Sequence, residues 1–390
     1  MRRLILIAFT LAVLPFLSVA QIAFKITHGP YLQSLTTSDV TIVWTTNKKA
    51  ISWVELAPDD STHFYFQQRP KYFAVKHGFK TVDTVHNVKV EGLKPGVKYR
   101  YRVYSQEVTS HIGTDVEYGK VAATAVYKKQ PLSFRTISPS KEDITFGVIN
   151  DIHGKNQMME NLLGQLKWNE TDLVFFNGDM SDNLRSQNQM FTDFMDTGVK
   201  VFASEIPMYY ARGNHETRGN FANEFPKYFP SPSGNLYYMF RQGPVCFIVI
   251  DPGEDKPDSD IEYSGIVAFD DYRSNQAEWL KEALKQPEYV NAPYKVVVCH
   301  IPPFGGWHGE TEIAEKFLPL LNEAKAQIMI SGHLHRHVKK EPEQGKNNFP
   351  ILVNSNTTII KATANKEQLS INVIDEQGKI NDSMVIYPGR

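Results

Sequence analysis

Five short apolar runs, each stopping at side chains able to bind a metal, constrain this sequence more than any other feature. Ile144 to Ile149 leads into Asn150-Asp151-Ile152-His153-Gly154, and Leu173 to Phe176 into Asn177-Gly178-Asp179. Pro207 to Tyr210 leads into Gly213-Asn214-His215-Glu216, Val296 to Cys299 into His300, and Ile328 to Ile330 into Gly332-His333-Leu334-His335. Nearly uninterrupted apolar runs of this length read as strands buried on both faces. Helical stretches are expected from about Asn156 to Trp168 and from near Ser274, with that serine as the cap. The alternation of strand, loop, helix and strand is that of an α/β domain. Ligands of such domains gather beyond the C-terminal ends of the strands.

Taken singly, each polar residue has an ordinary explanation. An aspartate after a strand commonly caps a helix, and a histidine is commonly a hydrogen-bonded core residue. The joint pattern is what chance rarely arranges: Asp-x-His, Gly-Asp, Gly-Asn-His-Glu, a lone His and Gly-His-x-His, in order, all at strand ends. With only Cys246 and Cys299, the chain has neither a disulfide framework nor a thiolate zinc site. A metal would be held by His, Asp, Glu or Asn. Whether the two cysteines pair stays open.

Ahead of this region lies a different regime. From Ile26 to Phe134 no helical period appears. Short β-like runs at Val40 to Trp44, Ile51 to Leu56 and Val88 to Val90, then alternation over Tyr99 to Val103, suit a β-sandwich. The polar stretch Ser138 to Asp143 reads as a linker, giving domains over 21–137 and 138–390. The strands expected after Phe349 are assigned to completing the second sheet of the catalytic sandwich.

Residues 1–20 combine Arg2 and Arg3, an apolar stretch over Leu4 to Leu17, and the small residues Ser18-Val19-Ala20. This is the form of a signal peptide cleaved after Ala20, too short for a spanning helix, so a secreted or periplasmic protein without a membrane span is expected. An uncleaved anchor is the alternative. The formal net charge of −1 gives no global drive toward nucleic acid, and no nucleic-acid binding is expected.

From about Asp143 to Arg336 the five motifs resemble the calcineurin-like metallophosphoesterase superfamily. The run Leu93-x-Pro95-x-x-x-Tyr99-x-Tyr101-x-Val103 resembles the corner of fibronectin type III domains, and Trp44 their core tryptophan. Together the two regions resemble the purple acid phosphatases. The resemblance implies a fibronectin III-like β-sandwich followed by a four-layer α/β/β/α sandwich. It also implies two metal ions, Fe, Mn or Zn. Asp151, His153, Asp179 and His335 would hold the first, and Asp179, Asn214, His300 and His333 the second, Asp179 bridging. Two such cations acidify a bridging water for in-line attack on phosphorus. His215 would face the substrate with Glu216 tuning it, and His308 would reach the leaving group. Arg218 reads as a surface salt-bridging residue and His337 as a spectator.

The implied activity is phosphomonoester hydrolysis on a small-molecule or peptide substrate. A phosphodiesterase using the same site is the first alternative, and a vestigial adhesion or glycan-binding protein the remote one. One departure stands out. Purple acid phosphatases carry a tyrosine where this chain has Asp182, and His153 supplies a ligand in its stead, so a colourless centre is expected.

Overall fold

The structure, a computed structural model, describes residues 22–127 and 129–389; the expected signal peptide lies outside them. The N-terminal region is built around one 19-residue strand, Val40–Pro58. Its first half pairs with Ile26–Gln33 and Asp83–Val90, its second half mainly with Lys98–Ile112 and Lys71–Phe73. Trp44, Val54, Val88, Tyr101, Val103 and Phe134 share the enclosed core. The Trp44 indole satisfies its N–H on Ser105 Oγ at 2.8 Å. Tyr99 closes the turn at Leu93 by accepting the amide of Lys94 at 2.9 Å.

The α/β region holds two six-stranded sheets. The first runs Met208–Ala211, Leu173–Asn177, Ile144–Ile149, Thr358–Ala364, Leu369–Asp375, Ile380–Ile386. The second runs Tyr238–Gln242, Val245–Ile250, Tyr294–Cys299, Ile328–Ser331, Ile351–Val353, Val338–Lys340. Phe146, Phe175 and Ile360 of the first share a core with Phe247, Val296 and Ile330 of the second. Phe146 meets Phe247 edge to face, centroids 5.0 Å apart, a favoured aromatic geometry. Helix Asn156–Leu163 covers the other face of the first sheet, and helices Phe269–Ala283 and His308–Lys316 that of the second.

Three motif strands therefore belong to one sheet and two to the other, and the site forms where their C-terminal ends converge. The N-terminal sheet is fastened to this region by Tyr31, whose hydroxyl donates to Tyr228 O at 2.7 Å, and by His28, 3.0 Å from Asp196.

Three expectations are corrected. The first helix stops at Leu163, because Gly164 follows and Leu166 folds back over Gly147, where an added Cβ would lie 2.6 Å from it. The second begins at Phe269, so Ser274 lies inside it and hydrogen-bonds Asp270 O at 2.8 Å. The Asp258 carboxylate takes the amides of Phe269 and Asp270 instead, at 2.7 and 3.2 Å. The C-terminal strands do not all join the second sheet: Ile351–Val353 does, and the last three join the first. Buried Asn354 makes the crossing, donating its backbone N–H to Ser331 O and its side chain to Asn150 Oδ1.

Candidate metal centre

The chain leaves three of the five motif strands, Ile144–Ile149, Leu173–Asn177 and Ile328–Ser331, through unusual backbone. Asp151, His153, Asp179, His333 and His335 have φ of 54°, 49°, 54°, 69° and 52°, five of the ten non-glycine residues with positive φ among the described residues. Such conformations cost on the order of 1–3 kcal/mol each and persist where the surroundings enforce them. Here backbone bonds do so: Asp151 N to Gly178 O at 2.9 Å, His153 N to Asp179 O at 3.1 Å and Gly154 N to Met180 O at 3.0 Å. Two glycines let the loops close. A Cβ at Gly213 would lie 2.2 Å from Asp179 Oδ1, and one at Gly178 2.5 Å from His300 Nδ1.

Ligand-type atoms of Asp151, His153, Asp179 and His335 all lie within 4.8 Å of one another, as do those of Asp179, His300 and His333. Asn214 Oδ1 joins the second set, 3.1 Å from His333 Nδ1. His153 Nε2 and His335 Nε2 are 3.1 Å apart, and His335 Nε2 is 3.2 Å from Asp151 Oδ1. His300 Nε2 lies 3.1 Å from Asp179 Oδ2, off the line a hydrogen bond needs. Buried Asp151 Oδ1 and His300 Nε2 thus have no hydrogen-bond partner while facing the same few ångströms of space. Orphaned acceptors converging this way are what a cation satisfies, so the donor set fits two metals sharing Asp179.

The outer nitrogens are oriented too. His300 donates Nδ1–H to Asn177 O at 2.6 Å, leaving Nε2 directed inward. His153 Nδ1 lies 2.8 Å from Asp182 Oδ1, and His215 Nδ1 2.7 Å from Asp182 O. Such partners set which nitrogen of each ring carries the proton. The charges are strongly coupled. Burial opposes ionisation of Asp179, but His300 and His215 outweigh it and hold the carboxyl below the usual range. Burial also opposes a charge on His300, which Asp179 and Asp151 overcome, raising it to about 10. Burial pushes His333 down to about 4.

Residues 144–337 match the calcineurin-like phosphoesterase model and residues 30–116 the purple acid phosphatase N-terminal domain. The chain carries both of these domains. Purple acid phosphatase 21 of Arabidopsis thaliana is 25% identical over 68% of this chain and 55% of its own length. Probable purple acid phosphatase 20 of the same plant is 24% identical over 75% and 66%. The chain thus spans roughly half to two thirds of these relatives. The purple acid phosphatase PPD1 from yellow lupin (Lupinus luteus) seeds shares the fold, with TM-score 0.66 and 16% identity over 92% of this chain and 74% of that one.

Within the phosphoesterase domain, Glu216 departs from expectation. Its carboxylate makes no hydrogen bond to the His215 ring. Its buried carboxylate accepts the amides of Asp179, Met180 and Gly213 at 2.9, 2.8 and 3.0 Å and the Tyr210 hydroxyl at 2.9 Å. It bolts the Asp179 loop to the Asn214 loop, and the element that orients His215 is Asp182 O.

His308 opens helix His308–Lys316 with Nε2 2.8 Å from Asp270 Oδ1, in a separate group with Asp270 and Glu312. Arg218 is largely buried rather than superficial, held by Glu254 at 3.0 and 2.9 Å, Asp255 at 3.3 Å and Glu262 at 3.4 Å. His337 pairs with Asp382 at 2.9 Å, away from the centre. The residue that the motifs left unmarked is Glu310, buried beside His333 with Oε1 3.9 Å from its Nε2.

Proposed function

We propose that this chain hydrolyses phosphate monoesters at a dinuclear metal centre. The observation that carries this is the pair of donor groups sharing Asp179, each with unsatisfied nitrogen or oxygen atoms turned inward. Asp151, His153, Asp179 and His335 would hold one ion; Asp179, Asn214, His300 and His333 the other. Oxygen and imidazole donors without thiolate suit iron, manganese or zinc. When bound, the two ions acidify a water and neutralise charge on the transferred phosphoryl group.

The chain's own side chains do the rest. Asp182 O fixes the His215 ring with Nε2 on the Asp179 side, 3.9 Å from Oδ2. As an imidazolium, that ring holds a proton at Nε2 for the leaving-group oxygen. Asp182 and Asn177 hold His153 and His300 in register, so the donor atoms need little reorganisation on binding ions.

Domains over 21–137, fibronectin III-like, and 138–390, four-layered, with export directed by residues 1–20, complete this reading. The Tyr99–Lys94 closure and the shared core of the two six-stranded sheets support it.

One observation favours the phosphodiesterase alternative. Arg218 and Lys256, the cations paired with Asp255, an acid near His333, are both occupied by Asp255 and Glu262, so neither is free for the second charge of a monoester. The deciding experiment compares kcat/KM for p-nitrophenyl phosphate and bis-(p-nitrophenyl) phosphate in metal-reloaded protein, with Asp179→Asn as control. A monoester preference that falls at least about a thousandfold in Asp179→Asn supports the proposal, since the ions supply several kcal/mol to the transition state. A diester preference moves the assignment to the alternative, and activity indifferent to Asp179 overturns both.

A further inference from the structure

Three imidazoles around Asp179 turn Nδ1 outward to an oxygen: His300 to Asn177 O, His153 to Asp182 Oδ1 and His215 to Asp182 O. His333 is placed the other way round. Its Nδ1 lies 3.1 Å from Asn214 Oδ1, on the side of the second donor set, so Nε2 is its outer nitrogen. A ring nitrogen that shares a cation with Asn214 must be unprotonated, which puts the His333 proton on Nε2.

That nitrogen faces Glu310. Oε1 of Glu310 lies 3.9 Å from Nε2, the residue is 1% exposed, and Oε1 has no hydrogen-bond partner. Its other oxygen accepts the Trp307 amide at 2.8 Å, anchoring the carboxyl. Asp255, the other acid near His333, is already occupied by Lys256 at 3.0 Å and Arg218 at 3.3 Å. An anchored, buried carboxyl with one free oxygen aimed at the outer nitrogen of a ligand-type histidine is the arrangement that fixes such a ligand.

We propose that Glu310 is the positioning residue of His333. Its free oxygen accepts the Nε2–H, after a small closure or through one water, and so presents Nδ1 to the second metal. The inference rests on reading His333 as a ligand. It needs only an acceptor oxygen, which either protonation state of Glu310 supplies.

The test uses the full chain, metal-stripped, with Glu310→Leu and Glu310→Gln. Calorimetric titration with Mn²⁺ reads the two affinities, and two-bond proton–nitrogen correlations of His333 read its tautomer. The expected result is a single Nε2–H tautomer in wild type. Glu310→Leu should show a mixture, with one ion bound about 10–100-fold more weakly and the other unchanged. Glu310→Gln, which keeps an acceptor oxygen, should fall between. Glu310→Ala carries the same expectations as Glu310→Leu should the latter not fold.

Wild-type affinities and tautomer in Glu310→Leu would overturn the proposal. So would equal loss of both ions with a lowered Tm of the metal-free protein, which would mark a purely structural role. Wild type binding fewer than two ions would overturn this inference and the proposed function together. Because neither readout needs turnover, a protein that binds both ions but hydrolyses no phosphoester fails only as the proposed enzyme.

Discussion

The carboxylate of Asp182 lies 2.8 Å from Nδ1 of His153, although the two residues stand 29 positions apart and Asp182 is otherwise largely exposed. The same residue holds His215 through its backbone carbonyl, which no side-chain substitution removes. Asp182→Ala should therefore weaken binding of the first metal by about 10–100-fold. Nδ1 of His215 should keep its hydrogen bond, visible as an unchanged ring-proton resonance. Unaltered metal affinity would show that His153 is held by its loop alone.

No tyrosinate is available at the Asp182 position, and the Tyr210 hydroxyl is donated to Glu216. Burial and the adjacent carboxylate also raise the Tyr210 phenol well above its ordinary range. Iron-loaded protein should lack a visible tyrosinate charge-transfer band. Its appearance in wild type would refute this arrangement of ligands.

Glu216→Ala removes the acceptor of three close backbone N–H groups and one phenol, all buried. Unsatisfied buried donors cost about 1–3 kcal/mol each, so a loss of about 3 kcal/mol or more is expected. Denaturant unfolding of the metal-free protein measures it. Glu216→Gln, which retains one acceptor oxygen, should lose less. A Glu216→Ala protein as stable as wild type would contradict the bolting role.

Cys246 and Cys299 are free and buried. They sit on adjacent parallel strands whose register pairs Cys246 with Lys295 and Ile250 with Cys299. A four-residue offset is roughly 13 Å along a strand, beyond disulfide reach. Burial also raises the Cys246 thiol to about 12 and Cys299 still higher. Native protein should resist thiol reagents, unfolded protein should titrate both thiols, and reductant should leave Tm unchanged. A reductant-sensitive Tm would overturn the free-thiol assignment.

His86 is buried against Trp44, its Nε2 on Thr46 Oγ1 at 2.8 Å and its Nδ1 without a partner. Burial lowers it to about 4. In the unfolded chain it titrates near 6.5, so between roughly pH 6.5 and 4 only the unfolded state takes up the proton. Stability should be fully present above that window and fall through it by up to about 3 kcal/mol as the pH drops. Thermal unfolding across the window checks this. His86→Gln should flatten the profile, and an equal slope in both proteins would assign the effect elsewhere.

Much of this is legible in the sequence. Strand positions followed from continuous apolar runs, and the metal-type residues from their place at strand ends. Asn214 Oδ1 and His333 Nδ1, 119 residues apart in the chain, lie 3.1 Å apart. What local pattern misplaced shares one cause. The cap of helix Phe269–Ala283 comes from Asp258, so Ser274 misled as its start. Glu216 looked like a neighbour that tunes His215, yet a 3-10 turn sends its side chain toward the Asp179 loop. Glu310 carried no motif at all.

The sequence by itself determined the two regimes, the strands, and the residue types at their ends, because periodicity and turn chemistry act over a few residues. Tertiary structure alone decided which oxygen each imidazole faces, because that depends on where two separately formed sheets dock. Asp151 and His333 meet at 2.9 Å across 182 residues. No spacing along the chain encodes that distance; the core shared by the two sheets does, setting the separation of the strand ends that carry the ligands.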